Sequence, residues 1–525
     1  MNCFVFRNNT IERFFPKEYK FSGYDDISDI SSEADVYVWY YQAPVKYDQR
    51  VLSDEIRGYI DKLGFVLSRI NQKKTFIALT MDSLYNVPFT DDDFQLQSAI
   101  AEYNLALFGF GNKYSNVKVV DITDFSHRYA RTDLFDWKFY FVSQMGMNPR
   151  LSGDFADWWT KKLNSIALKR KKCLVLDLDN TLWGGVLGEE GIDGIKIGGD
   201  YPGKAFLLFQ EALLELSRQG VILTIVSKNN EQDVLDVWEK NPFIVLKKEH
   251  FAAYRINWTD KAANIKELSE ELNIGLDSFV FVDDNPTERE LVRQLLPMVS
   301  VPDFPQQPYM LPEFFRQVVE DYFKVYSITD EDKKKTEQYK ANAARAQELN
   351  TFTDFPAFLK SLDIRITIET ANEFNIRRIA QMTQKTNQFN LTTKRYTDAD
   401  VRGFVDTGWR IWCLRVADKF GDNGITGCIM VDGDLIDTFL LSCRILGKGI
   451  ELAFMKKLLS MMRESGVSTL KARYIPTARN SQVKDFWEKC GFECVAEGED
   501  GTKDYSLDLN KANTEIEEYY HIIIQ

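Results

Sequence analysis

The stretch Val175-Leu176-Asp177-Leu178-Asp179-Asn180-Thr181-Leu182-Trp183 constrains this chain most, because an apolar run stops abruptly in two carboxylates. A hydrophobic strand that delivers acidic side chains to its carboxyl end does so where open α/β sheets place their chemistry. Around it lie further apolar runs at 173–176, 221–226, 244–246 and 279–282, separated by helical patterns at 205–219, 231–240 and 261–272. That β-α-β-α rhythm predicts a Rossmann-like domain with a mostly parallel sheet over 166–325.

Three more polar features fall at the ends of these elements. Ser227 closes the second strand in Thr224-Ile225-Val226-Ser227-Lys228-Asn229, Lys261 opens a helix, and Asp283-Asp284 follow the strand 279–282. Alone, Asp177 and Asp179 could merely cap a helix, with Ser227 and Lys261 as surface residues. Four parts in order at strand ends point to a site instead, and this order resembles the haloacid dehalogenase (HAD) family of phosphatases.

The resemblance implies roles with physical reasons. A carboxylate attacks phosphorus only once its charge and the substrate's are neutralised, so Mg²⁺ is expected on Asp177, the Asp179 backbone carbonyl, Asp283 and Asp284. Asp179, in the loop beyond the strand, would act as general acid and then as base. Ser227, with its neighbouring amides, and Lys261 would hold the phosphoryl oxygens, with Thr181, Lys228 and Asn229 beside the substrate. The segment 184–203 leaves room only for a Gly-rich flap with Trp183 at its base, which suits a bulky or protein-borne phosphorylated substrate.

Residues 1–165 alternate apolar runs at 3–6, 34–40, 75–80 and 117–121 with a helical segment at 54–71, predicting a small doubly wound, flavodoxin-like α/β domain. Its Asp124-Phe125-Ser126-His127 resembles the Asp-x-x-His ending of SGNH hydrolases. Where those enzymes carry a nucleophilic serine, this chain has Arg7-Asn8-Asn9-Thr10, so only Thr10 or a distant residue offers a hydroxyl and a scaffold or docking role is expected.

A charged helix at 331–349, within a connector spanning 326–360, leads to a third domain over 361–525. Strands at 364–369, 411–416, 425–431, 435–441 and 469–474, with helices at 373–383, 398–405, 449–464 and 482–490, resemble the α+β fold of GNAT acyltransferases. In Leu441-Ser442-Cys443-Arg444-Ile445-Leu446-Gly447-Lys448-Gly449 a thiol at a strand end precedes Arg-x-x-Gly-x-Gly. That pattern matches the GNAT loop whose amides bind the coenzyme A pyrophosphate at a helix N-terminus. It makes Arg444, Gly447, Gly449 and, in the later motif, Asn480 cofactor-binding candidates. In that fold the thiol-bearing arm lies between two central strands, placing Cys443 near a pantetheine sulfur, with Arg444 and the helix terminus lowering its pKa. Cys443 as a small buried hydrophobe is the alternative, and Cys413 and Cys428, inside strands, read as core.

Taken together, Leu176-Asp177-Leu178-Asp179-Asn180-Thr181-Leu182-Trp183-Gly184-Gly185-Val186, Ser227-Lys228-Asn229-Asn230, Asp283-Asp284-Asn285-Pro286, Lys385-Thr386-Asn387-Gln388-Phe389-Asn390-Leu391-Thr392 and Phe420-Gly421-Asp422-Asn423-Gly424 resemble the FkbH-like family, HAD class IIIC. Known members take 1,3-bisphosphoglycerate, remove phosphate and transfer the glyceryl unit to the pantetheine thiol of an acyl carrier protein. The resemblance implies that Cys443 handles the thioester and that Asn387, Asn390 and Asp422 line the acyl site. Lys394, Arg395, Arg444 and Lys448 are candidates for docking an acidic carrier. Two other readings remain open. One is a HAD phosphatase of sugar or capsular polysaccharide biosynthesis with a coenzyme A-dependent N-acetyltransferase domain. The other is a single phosphatase flanked by docking modules.

Composition narrows these readings. A net charge of -13 argues against broad nucleic-acid binding. No apolar stretch approaches the roughly 20 residues that span a bilayer, and Met1-Asn2-Cys3-Phe4 lacks a signal-type pattern, so a cytoplasmic location is expected. Seven scattered cysteines imply free thiols, and three histidines leave little room for imidazole chemistry.

Overall fold

The computed structural model describes residues 2–28, 30, 34–83, 85–328, 338–339, 341, 354–442 and 445–525. Cys443 and Arg444 therefore lie outside the described residues, as does all of the charged stretch 331–349 except Gln338, Tyr339 and Ala341. The chain forms two compact units, Met1–Ile166 with Thr397–Asp400, and Ala167–Tyr396 with Val401–Gln525.

In the first unit, β1 (Cys3–Arg7), β2 (Lys20–Tyr24), β3 (Val36–Tyr40), β4 (Thr75–Leu79) and β5 (Val117–Val120) form a parallel sheet of order β2-β1-β3-β4-β5. Every residue of β1 and β3 is buried, as a parallel sheet covered on both faces requires. Alternate side chains serve opposite layers: Phe4, Phe6, Tyr37 and Trp39 meet the helices Gln49–Arg69 and Gln95–Lys113, while Val5, Val36 and Val38 meet Phe155, Trp158 and Trp159 of the helix Ser152–Ile166. The first of these helices begins earlier than the periodicity predicts, because Asp48 caps it through the Arg50 and Val51 amides. Edge strand β2, largely exposed, carries no apolar run and escapes the sequence reading.

The second unit contains two sheets. Strands β6 (Cys173–Leu176), β7 (Ile222–Ser227), β8 (Ala253–Ile256) and β9 (Phe279–Val282) form a parallel sheet of order β8-β7-β6-β9. The run 244–246, expected as a strand, is not one. Its Val245 and Leu246 amides each donate to Gln210 Oε1 at 3.0 Å, and Ile244 and Leu246 are buried as loop residues. An amide side chain on the helix Gly203–Arg218 thus satisfies backbone that a strand neighbour would otherwise satisfy.

The C-terminal sheet runs β16-β17-β15-β14-β13-β12-β10-β18, with β11 on β14. Its members are β10 (Ile364–Thr370), β11 (Phe389–Asn390), β12 (Arg410–Asp418), β13 (Gly421–Asp432), β14 (Leu435–Leu441), β15 (Thr469–Tyr474), β16 (Glu493–Glu497), β17 (Lys503–Asp508) and β18 (Tyr520–Ile524). The sequence reading lacks β11 and the last three strands. The expected helix 482–490 is instead a 3-10 turn, Ser481–Val483, followed by the short helix Phe486–Lys489. Among the described residues no helix is long and apolar enough to cross a membrane.

Candidate active site

Central strand β6 is buried along its whole length, so its first polar side chains emerge only where the chain leaves the sheet. The Asp177 amide still donates to Val282 O of β9 at 3.0 Å, which fixes Asp177 beside the end of β9 and its successors Asp283 and Asp284. One carboxylate oxygen from each of Asp177, Asp283 and Asp284 lies within 4.8 Å of the others. Lys261, the first residue of the helix Lys261–Leu272, sets Nζ 2.9 Å from Asp177 Oδ1 and 2.5 Å from Asp283 Oδ2. All three side chains of this bridge are nearly inaccessible.

The electrostatics follow from crowding. Burial, and then the charge of Asp177, push Asp283 up to about 7 against the pull of Lys261. The same two causes push Asp284 up to about 6. Burial alone would lower the Lys261 ammonium, but Asp177 and Asp283 outweigh it and hold Lys261 charged. Three clustered carboxylates facing one lysine leave negative charge unanswered, and this oxygen-only donor set suits a hard divalent cation such as Mg²⁺.

Asp179 belongs to a different environment. Its Oδ1 accepts from the Trp183 indole at 2.9 Å and the Leu187 amide at 3.1 Å, and Oδ2 accepts from Asn229 Nδ2 at 3.0 Å. Burial pushes its carboxyl up, while those three donors pull it down. The turn that aims it is tight: the Thr181 and Leu182 amides both return to Leu178 O, and Asn180 sits at φ 52° with its side chain on the Gly185 amide. Asn and Gly tolerate such left-handed positions better than other residues.

Several expected residues take other places. The Asp179 carboxylate lies outside the cluster of Asp177, Asp283 and Asp284 among the described residues, which does not bear on the ligation expected through its backbone carbonyl. Thr181 is fully buried and its hydroxyl accepts from the Asp284 amide at 3.1 Å, which ties it to the end of β9. Lys228 is paired with Glu288 at 2.6 Å. Asn229 also donates to Ser227 Oγ at 3.2 Å, which links the end of β7 to Asp179 and makes Asn229 a positioning residue. Lys261 faces the carboxylates as their counter-ion. Arg289, which sequence reasoning missed, is buried and donates to the Asp283 and Asp284 carbonyls at 2.7 Å each. Its position six residues after Asp283, on the helix Pro286–Leu295, is the one signal that could have found it.

At the other expected centre, the described candidate side chains have partners within the chain, although the buried Asn423 side-chain amide has none among the described residues. β14 and β15 pair only at Leu435–Lys471 and Ile436–Ala472. Beyond that point the gap holds the chain's own segment: Phe389 and Asn390 pair with Leu441 and Leu440, the Leu391 amide donates to Phe439 O, and the Ile475 amide donates to Leu391 O. The space expected for a pantetheine arm between the two central strands is therefore filled. Gly447 and Gly449 have positive φ, 78° and 68°, but a Cβ at Gly449 would lie 2.6 Å from Tyr520 Oη, whose hydroxyl donates to Lys448 O. Gly449 is thus covered by β18, whereas Gly447 is exposed and a Cβ there would meet nothing within 4 Å.

The remaining candidates there are similarly engaged. Asn480 is wholly buried, accepting from the Thr477 amide and donating to the Asn390 and Ile475 carbonyls, so it braces the inserted segment rather than contacting a cofactor. Asn390, also wholly buried, accepts from the Thr393 amide. Asn387 bonds Arg395, and Asp422 accepts from the Gly424 amide and pairs with Arg415. Of the docking candidates, Lys394 pairs with Asp437, Arg395 donates to the Thr383 and Thr386 carbonyls, and Lys448 lies 3.6 Å from Asp418. Cys413 and Cys428 are buried and face each other across β12 and β13.

In the first unit, Asp124 pairs with Lys162, while exposed His127 faces Asp82 at 3.5 Å. The Thr10 hydroxyl is bonded to Tyr24 and to Ser143 O.

Comparison with known proteins bears on the carboxylate site. Residues 172–309 match the NLI interacting factor-like phosphatase family. These residues are a HAD-type phosphatase domain. The N-terminal part of the protein BF1531 from Bacteroides fragilis, a structure containing a phosphatase domain complexed with Mg, is 28% identical and covers 62% of this chain and 94% of its own, with a TM-score of 0.53. A domain from Methanocaldococcus jannaschii is 15% identical and covers 28% of this chain and 99% of its own, at a TM-score of 0.23. A mutant form of the spermidine N-acetyltransferase SpeG from Vibrio cholerae is 12% identical, covering 28% of this chain and 95% of its own, also at 0.23. Those two likenesses are too low to carry an argument. No curated protein sequence matches the chain.

Proposed function

We propose that the phosphatase domain hydrolyses a phosphate monoester through an aspartyl-phosphate. The observation that carries this is the pairing of two differently held carboxylates. Asp177 lies in the charged cluster with Lys261, Asp283 and Asp284, while Asp179 is buried and fixed by three donors. Mg²⁺ held by Asp177, Asp283 and Asp284 would neutralise charge around the transferring phosphoryl group. An Asp177 carboxylate oxygen forms the new bond to phosphorus as the ester P–O bond breaks. Asp179, its carboxyl raised by burial, gives its proton to the leaving oxygen and then takes one from the water that cleaves the aspartyl-phosphate.

The experiment is phosphate release from p-nitrophenyl phosphate with Mg²⁺. Asp177→Asn should lower the rate at least about a thousandfold, as loss of a covalent nucleophile does, without unfolding the chain. A variant retaining full activity would refute the assignment.

We further propose, on the FkbH-like resemblance, that the substrate is a phosphoglyceryl compound such as 1,3-bisphosphoglycerate. The C-terminal region would then pass the acyl unit to the pantetheine thiol of an acyl carrier protein, with the Cys443 thiolate attacking the acyl carbon and displacing phosphate. Incubation with 1,3-bisphosphoglycerate, Mg²⁺ and a pantetheinylated carrier should add a glyceryl mass to the carrier. Phosphate release without that adduct would remove the transfer step and leave the hydrolase.

A further inference from the structure

The second unit contains a cavity of about 590 Å³ at the end of the parallel sheet opposite the catalytic carboxylates. Its lining includes Lys172, which immediately precedes β6, and Ile222 and Ser278 at the amino ends of β7 and β9. Asp177 immediately follows β6, so five extended residue steps from Lys172, roughly 16 Å, separate the two ends. The cavity is therefore not an annex of the phosphatase centre.

Its charge is opposite to that of the chain. The run Lys169-Arg170-Lys171-Lys172 lines it from one part of the sequence, and Arg378, Lys385 and Arg479 line it from the C-terminal part. Against these cations stand only Asp277 and Asp321 among the described lining residues. Asp277 is already paired with Arg479 at 3.0 Å, and Lys171 Nζ donates to the Asp277 carbonyl at 2.6 Å. A concave, strongly cationic surface on a protein of net charge -13 is a local inversion that like-charge repulsion opposes. The repulsion is felt: burial and then Arg479 depress Arg395, whose guanidinium bonds Asn387 on the cavity lining.

The rest of the lining indicates what the anion is attached to. Thr386, Asn387, Gln388 and Ser442 offer amide and hydroxyl groups, and Met382 and Leu441 offer apolar surface. The volume falls in the range of small-molecule sites, roughly 300–1,000 Å³. Guanidinium and ammonium donors together with neutral donors and apolar surface in one cavity suit a phosphate ester better than a bare carboxylate.

We propose that this cavity is a second phosphate-recognition site, distinct from the catalytic one. It takes a phosphate ester with an extended uncharged body, whose phosphate meets Lys171 and Arg479 and whose body runs toward Leu441 and Ser442. A free ester such as coenzyme A and a phosphopantetheine arm attached to a carrier protein present the same chemistry. The proposal rests on the cavity and needs neither the hydrolytic nor the transfer reading.

The test is calorimetric titration of the full-length protein with coenzyme A, with pantetheine, which lacks the phosphates, and with a phosphopantetheinylated acyl carrier protein. Coenzyme A, the carrier or both should bind, and pantetheine at least about tenfold more weakly. Arg479→Ala and Lys171→Met should each weaken binding about tenfold, while p-nitrophenyl phosphate hydrolysis stays within about twofold of wild type. Arg479 is exposed, so its variant keeps the test open if Lys171→Met fails to fold. Binding of the carrier alone assigns the site to a protein-borne arm. Absence of binding by both phosphate carriers, or binding unchanged in Arg479→Ala, overturns the proposal, and unchanged hydrolysis in that case leaves the phosphatase reading standing.

Discussion

The carboxyl end of β6 and the carboxyl end of β14 look alike in sequence, since each closes an apolar strand with polar residues and leads through glycines toward a helix. They differ in what their polar groups do. At β6, three carboxylates share one lysine, and burial with mutual repulsion lifts Asp283 and Asp284 far above the ordinary carboxylate range. At β14, Asn390 and Asn480 are just as buried, yet their side chains are engaged with neighbouring backbone. Buried polar groups are ordinarily satisfied, so the unbalanced charge marks chemistry and the satisfied amides mark scaffold.

That contrast can be broken most sharply at Lys261. Lys261→Met removes the counter-ion from two buried carboxylates, so phosphate release should fall at least about a hundredfold. Stability measured at pH 8 should fall by about 3–5 kcal/mol, the cost of an uncompensated buried charge. The loss should shrink at pH 5, where Asp283 can neutralise by taking up a proton. Equal destabilisation at both pH values would show that Lys261 acts by packing alone.

Mg²⁺ gives the next largest effect. Asp283 and Asp284 are raised above their unfolded values, so the metal-free folded state holds extra protons between about pH 4 and about pH 7. Their contribution to stability is present below that window and lost as pH rises through it. Mg²⁺ replaces those protons, so the gain in melting temperature on adding it should be larger at pH 8 than at pH 5. A gain independent of pH would detach these two carboxylates from the metal.

Asn229 separates positioning from substrate contact. Asn229→Ala removes a donor that lowers the Asp179 carboxyl, so activity should drop about tenfold and the alkaline limb of the pH–rate profile should move upward. An unchanged limb accompanied by a raised KM would return Asn229 to substrate binding. At the β14 end, Asn480→Ala should cost about 1–3 kcal/mol by stranding buried backbone groups, with phosphatase activity per folded molecule unchanged. A lost activity with intact stability would mean that the two ends are less different than their hydrogen bonds indicate.

Much of the catalytic end was legible beforehand. The places of Asp177, Asp179, Ser227, Lys261 and Asp283-Asp284 follow from where apolar runs stop, which is a local property of the sequence. The run 244–246 misled because apolar composition does not distinguish a strand from a buried loop whose amides Gln210 satisfies. The exposed strand β16 had no alternating pattern to read.

What the sequence determined by itself was the strands β6, β7 and β9 of the phosphatase domain, the helices between them and the strand ends that carry its acids, because burial forces polar side chains to wait for the end of an apolar run. What only tertiary structure decided was how those groups are used. Lys261 meets Asp177 from 84 residues away, Asn390 and Asn480 are joined across 90 residues, and Tyr520 closes over Lys448 from 72 residues away. Such pairings leave no periodic trace in the chain, since they are set by loop closure and the packing of distant elements rather than by neighbours in sequence.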